Sequence, residues 1–109
     1  NIHQILVIMY EKEVNMKKHI INIYFCTKCG WLMRASWLSQ EFITTFGSDL
    51  SSVNLVPDIE GKFEIKCSNK LVFSRKKEGN FIDLKIMKQR IRDIVNPSMS
   101  LGHSDVKRK

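Results

Sequence analysis

The stretch "HIINIYFCTKCGW", residues 19–31, joins an apolar run to a closely spaced pair of cysteines. Its first seven residues are rich in β-branched and aromatic side chains, a composition typical of a buried strand. Cys26 and Cys29 follow with two residues between them, and apolar residues at helical spacing begin after Cys29. The cysteine pair is therefore predicted to lie at the junction between a strand and a helix.

The segment after the cysteines predicts a helix and then a second strand. The helix is expected over residues 29–47, because Gly47 occupies a position where helices commonly end. Its apolar stripe contains Trp31, Ala35, Leu38, Phe42 and Phe46, widened by Trp37 and Ile43. A strand is expected at 51–57, closed by Pro57. A strand, a long helical connection and another strand together predict a parallel crossover.

The second half of the chain changes from helical spacing to alternation. Phe63, Ile65 and Cys67 alternate with polar residues, which predicts an antiparallel hairpin with strands at 61–68 and 71–76. The letters "KKEGN", residues 76–80, read as a loop whose Asn80 caps a last helix at 82–95. The order βαβββα predicts an α/β fold in which one mixed four-stranded sheet carries two packed helices.

The chain of 109 residues is long enough for one domain. Residues 1–15 are expected to be an N-terminal extension, because they precede a Met16 that resembles a translation start. The alternative is a terminal strand built on "ILVIM", residues 5–9. The domain is placed at 16–97, and residues 98–109 are expected to form a polar C-terminal tail.

The formal charge of +7 is spread along the sequence. No basic cluster alternates with aromatic residues in the manner of single-strand binders, so we interpret the charge as a solvated surface and expect no nucleic-acid partner. Nucleic-acid binding stays open as a weaker alternative. No run of about 18 apolar residues is present, so no membrane span is expected. We also expect no secretory signal, which favours the cytoplasm.

A cysteine pair in a reducing compartment is more often catalytic or metal-binding than a structural crosslink. At a helix start, the unpaired N–H groups and the helix dipole would stabilise a thiolate, and Lys28 adds positive charge. Zinc would need two further ligands, and the sequence offers only Cys67 and three scattered histidines. We therefore expect a redox pair and no metal, with a zinc site and a purely structural CxxC as the alternatives.

Several further segments carry a resemblance to a known family. From about Lys18 to Asp105 the chain resembles the Rdx family, the relatives of selenoproteins W, T and H, and looks closest to short bacterial members with cysteine throughout. The segments are "YFCTKCGW", "RASWLSQEF", "FEIKCSNKLVFSRKKEGNF", "MKQRIRD" and "SLGHSD". The resemblance implies a thioredoxin-like fold and a CxxC redox motif with Cys26 and Cys29 as the catalytic pair. Cys29 matches the position that holds selenocysteine in other members.

The function expected from these observations is that of a thiol–disulfide oxidoreductase-like protein. Its partners would be protein thiols or disulfides, or glutathione. No bound cofactor is expected, and glutathione or a thioredoxin system would act as the reductant. The alternative is a redox-sensing adaptor that is not an enzyme and binds a protein partner through its CxxC face. With cysteine at both positions, the sequence does not assign the attacking sulfur.

Overall fold

A computed structural model of the protein describes residues 1–6 and 18–102. The elements are β1 (His19–Cys26), α1 (Leu32–Phe46), β2 (Leu50–Asp58), β3 (Phe63–Cys67), β4 (Lys70–Ser74), α2 (Arg75–Glu78) and α3 (Leu84–Val95). Residues 2–6 are also helical. Most of the expected N-terminal extension, including the greater part of "ILVIM", and residues 103–109 of the tail lie outside the described residues.

The four strands form one mixed sheet in the order β2-β1-β3-β4. β1 pairs in parallel with β2 and antiparallel with β3, and β3 pairs antiparallel with β4. This confirms the predicted α/β fold with its mixed four-stranded sheet and packed helices. The boundaries of all four strands fall within two residues of those expected from the sequence.

One face of the sheet carries the hydrophobic core. Alternation in β1 places Ile21, Ile23 and Phe25 on this face, opposite Cys67, Ile65 and Phe63 of β3, and all six are buried. The helices cover the same face with Ala35, Leu38, Phe42 and Phe46 of α1 and with Met87 and Ile91 of α3. Burial of each large side chain contributes about 1.5–3 kcal/mol, so this face supplies most of the stability of the domain.

The opposite face of the sheet is polar and partly open. The side-chain amide of Asn54 donates to Asn22 Oδ1 at 2.8 Å, which joins β2 to β1 on this face. The ammonium groups of Lys62 and Lys66 lie 5.5 and 5.6 Å from the ring centroid of Tyr24. The two faces thus differ in polarity, as expected for a sheet that helices cover on one side only.

Tight connections bring three strand ends together. β3 and β4 are joined by Ser68 and Asn69, whose φ angles of 49° and 66° fit the two left-handed positions of a type I′ hairpin turn. The sequence predicted the antiparallel hairpin that this turn closes. β1 therefore ends at Cys26 beside the start of β3 and the end of β4 at Ser74. We call this the CxxC end of the sheet.

The segment predicted as the loop "KKEGN" is partly helical. Ser74 Oγ accepts the Lys77 N–H at 3.4 Å and begins α2. Both terminal nitrogens of Arg90 donate to the carboxylate of Glu78 at 2.8 Å, and one also donates to the Val72 carbonyl at 2.9 Å. The loop prediction was wrong here because this stabilisation comes from α3, which is remote in sequence.

Two further expectations about the helices need correction. Asp83, and not Asn80, caps α3, because its Oδ1 accepts the Lys85 N–H at 3.0 Å. Asn80 Oδ1 instead accepts the N–H of the next residue. Trp37 and Ile43 do not widen the buried stripe of α1, since they are 48% and 52% exposed. α1 packs on β1 and β2, and a narrow stripe is enough to cover these two strands.

Candidate functional site: the CxxC turn

The two cysteines occupy a compact turn between β1 and α1. Cys26 is the last residue of β1, and Thr27–Cys29 form a single 3-10 turn. Gly30 then adopts a left-handed conformation with φ of 72° before α1 begins at Leu32. The strand–CxxC–helix order predicted from the sequence is therefore present. The helix begins three residues later than expected, because the turn at Gly30 redirects the chain first.

The late helix start changes the electrostatics of the cysteine pair. The field of a helix N-terminus falls off within its first turn. Both cysteines precede α1 and its N-cap residue, Trp31. The backbone of α1 consequently stabilises a thiolate on Cys29 less than a helix beginning at Cys29 would. Lys28, which is exposed within the turn, is the cation nearest in sequence to both sulfurs.

Cys26 and Cys29 form a disulfide, with their Cα atoms 5.4 Å apart. This separation lies within the normal range for disulfides. The backbone N–H of Cys26 donates to the Lys62 carbonyl at 2.7 Å, which ties the first cysteine to the loop before β3. The turn is thus anchored on one side by the sheet and on the other by the start of α1.

The two cysteines differ in access to solvent. Cys26 is only 5% exposed, whereas Cys29 lies among the exposed residues 27–30. Attack on a substrate disulfide requires access as well as thiolate character. Cys29 is therefore the residue of the pair that an external reactant can approach more readily.

A cleft of about 250 Å³ lies beside the cysteine turn. It is lined by Cys26, Thr27, Lys28, Asp58, Ile59 and Glu60. Asp58 lies opposite Cys26 in the parallel register of β1 and β2. The N–H of Ile59, which donates to Asp58 at 2.8 Å, and Lys62 at 3.4 Å lower the pKa of the Asp58 carboxyl. The cleft therefore combines an ionised carboxylate with the largely exposed apolar side chain of Ile59.

Aromatic side chains support the turn from the core side. The ring of Trp31 meets those of Phe63 and Phe81 edge to face, with centroids 5.8 and 5.5 Å apart. Such pairs contribute about 0.5–1.5 kcal/mol beyond their buried area. Trp31, which the sequence placed in the apolar stripe of this helix, is half-buried. It fixes the start of α1 two residues from Cys29.

Two arginines lie on these aromatic rings. The guanidinium of Arg75 is 5.0 Å from the Trp31 ring centroid and 5.4 Å from that of Phe81. The guanidinium of Arg34 lies 4.0 Å from the Phe81 centroid. Sequence reasoning missed this cluster and assigned residues 76–80 to a loop. The hairpin register was the available signal, since it returns the end of β4 to the CxxC end of the sheet.

Cys67 lies apart from the other two cysteines. It pairs with Ile21 at the end of the sheet opposite Cys26 and is fully buried. Burial raises the pKa of the Cys67 thiol, which opposes thiolate formation. The structure thus places Cys67 in the core, at a distance from the CxxC.

The described residues also bear on metal binding and on crossing a membrane. Within residues 1–6 and 18–102, no group of three or more histidine, cysteine or acidic side chains is placed to hold a metal ion. In that same part of the chain, no helix combines the length and apolar character needed to cross a membrane.

A parallel βαβ unit with a CxxC between its first strand and helix, extended by an antiparallel hairpin, defines a thioredoxin-like protein. The model of the Rdx family matches residues 20–93, and the chain belongs to this family. The resemblance identified from the sequence motifs is therefore confirmed.

Two solved structures show how closely the fold is shared. A selenoprotein W-related protein from Vibrio cholerae is 44% identical with a TM-score of 0.70, covering 72% of this chain and 99% of its own. A protein from Bordetella parapertussis is 43% identical with a TM-score of 0.68, covering 71% of this chain and 98% of its own. A search of curated proteins gave no significant match.

Proposed function

We propose that this chain is a thiol–disulfide redox protein that uses Cys26 and Cys29 as its exchanging pair. The observation that carries the proposal is the bond between these two cysteines across one short turn, with Cys29 exposed at the surface. Because both cysteines lie within the turn, we expect the pair to open and close with little movement of the sheet. Membership of the Rdx family supports the same assignment.

The proposed reaction transfers two electrons from the dithiol to a substrate disulfide. The Cys29 thiolate attacks one substrate sulfur, the substrate S–S bond breaks, and the first thiolate leaves and takes up a proton. The Cys26 thiol then loses its proton and attacks Cys29 Sγ in the mixed disulfide. The second substrate thiol is released, and the Cys26–Cys29 disulfide is formed.

The assignment of Cys29 as the attacking sulfur rests on its access to solvent. Cys26 is nearly buried and tied to the Lys62 carbonyl, so a bulky disulfide cannot approach it as readily. Lys28 supplies positive charge within the exposed turn, which favours a thiolate. Cys26 is then suited to the resolving step, because its target is already attached to the neighbouring sulfur.

Regeneration requires an external reductant. Two molecules of glutathione, or a reduced thioredoxin, would return two electrons to the Cys26–Cys29 disulfide and leave as glutathione disulfide or oxidised thioredoxin. We propose the cytoplasm as the compartment, because its glutathione and thioredoxin pools keep such a pair cycling. The substrates would be protein disulfides or oxidised thiols.

The test measures turnover and traps the intermediate. With glutathione as electron donor, reduced protein should convert bis(2-hydroxyethyl) disulfide to the thiol. Cys29→Ser should abolish this turnover, whereas Cys26→Ser should retain only the slower route in which glutathione resolves the mixed disulfide. Without glutathione, Cys26→Ser should accumulate a mixed disulfide on Cys29, detected by intact mass, whereas Cys29→Ser should not. Cys67→Ala is the matched control and should turn over normally. Full turnover in Cys29→Ser would refute the proposal.

A second function is favoured by the apolar surface around the turn. Met33 is 85% exposed and Ile59 is 68% exposed, and Leu32 is also exposed at the start of α1. Exposed apolar side chains around a functional group indicate contact with a partner. The adaptor alternative uses this surface to bind a protein partner whose affinity depends on the redox state of Cys26 and Cys29.

Measurements of disulfide turnover and of partner binding distinguish a redox enzyme from a redox-sensing adaptor. An adaptor would show no catalytic reduction of disulfides, and its partner would be retained in only one redox state. Met33→Ser should then weaken partner binding, while the matched change Leu71→Ser, which removes an exposed apolar side chain toward the opposite end of the sheet, should not. A redox enzyme would instead keep turnover of a small disulfide in Met33→Ser, because small substrates do not need the apolar surface.

A further inference from the structure

Two arginines share one aromatic ring close to the CxxC turn. Arg34 lies 4.0 Å and Arg75 5.4 Å from the Phe81 ring centroid. The guanidiniums are therefore no farther apart than the sum of these distances, which is below the Debye length of about 10 Å at 0.1 M salt. The ring contacts hold two positive charges near each other, and a bound anion would relieve their repulsion.

Neither guanidinium has an acidic partner within the described part of the chain. Carboxylates pair there with four other cations, namely Lys62, Lys88, Arg90 and Arg92. The Nε of Arg75 is enclosed and lacks a hydrogen-bond partner, the one such side-chain atom among the described residues. A buried unsatisfied donor in a folded protein calls for an explanation. An external acceptor that draws the guanidinium outward would satisfy this group.

The two arginines lie at the same end of the fold as the cysteines. Arg75 stacks over Trp31, the N-cap residue of α1 and two residues from the exposed Cys29. Arg34 is in the first turn of α1. The cleft lined by Lys28 and Ile59 opens beside the cysteines as well. A disulfide bound at Cys29 would therefore place its substituents within reach of charged groups of both signs.

The guanidinium groups of Arg34 and Arg75 indicate which kind of ligand the two arginines would bind. Guanidinium groups bind carboxylates through paired N–H donors, which gives directional recognition that a single ammonium does not. Thiols built from amino acids carry carboxylates a few bonds from sulfur. The geometry points to Arg34 and Arg75 as a carboxylate-binding subsite that selects acidic disulfides for the Cys26–Cys29 pair. That the substrate is a disulfide rests on the proposed redox function, whereas the binding of a carboxylate by the two arginines does not.

The kinetic test compares three small disulfides of differing charge. Reduced protein is mixed with the dianionic 3,3′-dithiodipropionate, the neutral bis(2-hydroxyethyl) disulfide and the dicationic cystamine. The ratio of the diacid rate to the neutral rate is compared between wild type and each variant, which cancels the intrinsic reactivity of each reagent. Arg34→Gln and Arg75→Gln should lower this ratio by about threefold to tenfold.

Matched variants distinguish local recognition from overall charge. Lys70→Gln removes the same charge at the opposite end of the sheet and should leave the ratio unchanged. Arg34→Lys keeps the charge but loses the paired donors, so its ratio should fall between wild type and Arg34→Gln. Arg34 is exposed, so this position tests the subsite even if Arg75→Gln fails to fold. An equal loss in Lys70→Gln would overturn the subsite.

A binding measurement makes the inference independent of redox chemistry. Suberate has the same chain length as the diacid disulfide but no S–S bond, and it is titrated into the oxidised wild-type protein. The NMR signals of the Trp31 indole and the arginine Nε–H groups should shift, and the shifts should disappear in Arg34→Gln. If suberate shifts these signals but no disulfide is reduced, the proposed function fails and the subsite stands.

The opposite outcome also separates the proposed redox function from the carboxylate-binding subsite. If all three disulfides are reduced with the same ratio in wild type and variants, and suberate shifts nothing, the redox function stands and the subsite is refuted. Disulfide-linked peptides with glutamate or glutamine beside the cysteine distinguish the source of the carboxylate. Faster reduction of the glutamate peptide than of the glutamine peptide, lost in Arg34→Gln, assigns the subsite to protein substrates. Equal reduction of the two peptides assigns the subsite to small diacids.

Discussion

Gly30 closes the cysteine turn in a conformation that only glycine adopts without strain. Its φ of 72° and ψ of 24° place it in the left-handed region. A Cβ at this position would meet no atom within 4 Å, so Gly30→Ala tests backbone conformation without a steric clash. We therefore expect the variant to fold but to be less stable than the wild type.

The magnitude follows from two opposing effects. A non-glycine residue in the left-handed region costs about 1–2 kcal/mol. The alanine also restricts the unfolded chain, which returns about 0.4–1 kcal/mol where the native backbone is compatible. The net loss in free energy of unfolding should be about 1 kcal/mol, which corresponds to a fall in melting temperature of about 4–8 °C for a domain of 60–100 residues.

Gly47 provides a matched control in the same protein. It has φ of −48° and ψ of −39°, which are helical, and a Cβ there would also meet nothing within 4 Å. Gly47→Ala should therefore stabilise the protein by about 0.4–1 kcal/mol. Urea unfolding of the disulfide-intact proteins, followed by circular dichroism, measures both variants against the wild type.

The difference in free energy of unfolding between Gly30→Ala and Gly47→Ala is the decisive quantity. We expect Gly30→Ala to be less stable than Gly47→Ala by about 1.5–2 kcal/mol, the sum of the two opposite effects. Gly30→Asn should recover part of the loss, because asparagine tolerates the left-handed region better than alanine. Equal stability of the two alanine variants would refute the left-handed turn as the link between the cysteines and α1.

Other expectations concern the cysteines and the ion pair at α2. Cys67→Ala should reduce the free energy of unfolding by about 1 kcal/mol through lost packing, while turnover persists. In the reduced protein, iodoacetamide should modify Cys29 faster than Cys26, and equal rates would contradict the accessibility argument. Arg90 lowers the Glu78 pKa, so the pair stabilises the fold above the unfolded pKa of about 4.3 and is lost as pH falls through the folded pKa. The stability difference between wild type and Glu78→Gln should therefore be about 0.2–1 kcal/mol at neutral pH and vanish in acid, which urea titrations at pH 7 and pH 3 would check.

The sequence alone determined the order of the main elements and the candidate redox pair. The β-branched and aromatic composition of β1, the alternation of apolar residues in β3 and the helical spacing in α1 are local signals, because each can be recognised within one element. The spacing of Cys26 and Cys29 is likewise local, since two intervening residues already permit a disulfide. These features could be predicted from the sequence because residues that are neighbours along the chain specify them.

Other features did not follow from the periodicity of the sequence. The helix at Arg75–Glu78 depends on its ion pair with Arg90 of α3, a contact between separate elements. The 3-10 turn that delays α1 and the cap at Asp83 are local, but apolar spacing does not record at which residue a helix begins. The outward position of Trp37 follows from the two strands that α1 covers, which the periodicity of α1 does not record. Propensity is a weak indicator where such contacts decide.

The arginine cluster is the clearest case of tertiary determination. Arg34 and Arg75 are 41 positions apart, and nothing in their local sequence indicates that they share the ring of Phe81. The hairpin register and the packing of α1 bring them together at the CxxC end of the sheet. The sequence thus determined which residues could carry out redox chemistry, whereas the fold decided which sulfur is exposed and which charges surround it, because exposure and proximity depend on the packing of remote segments.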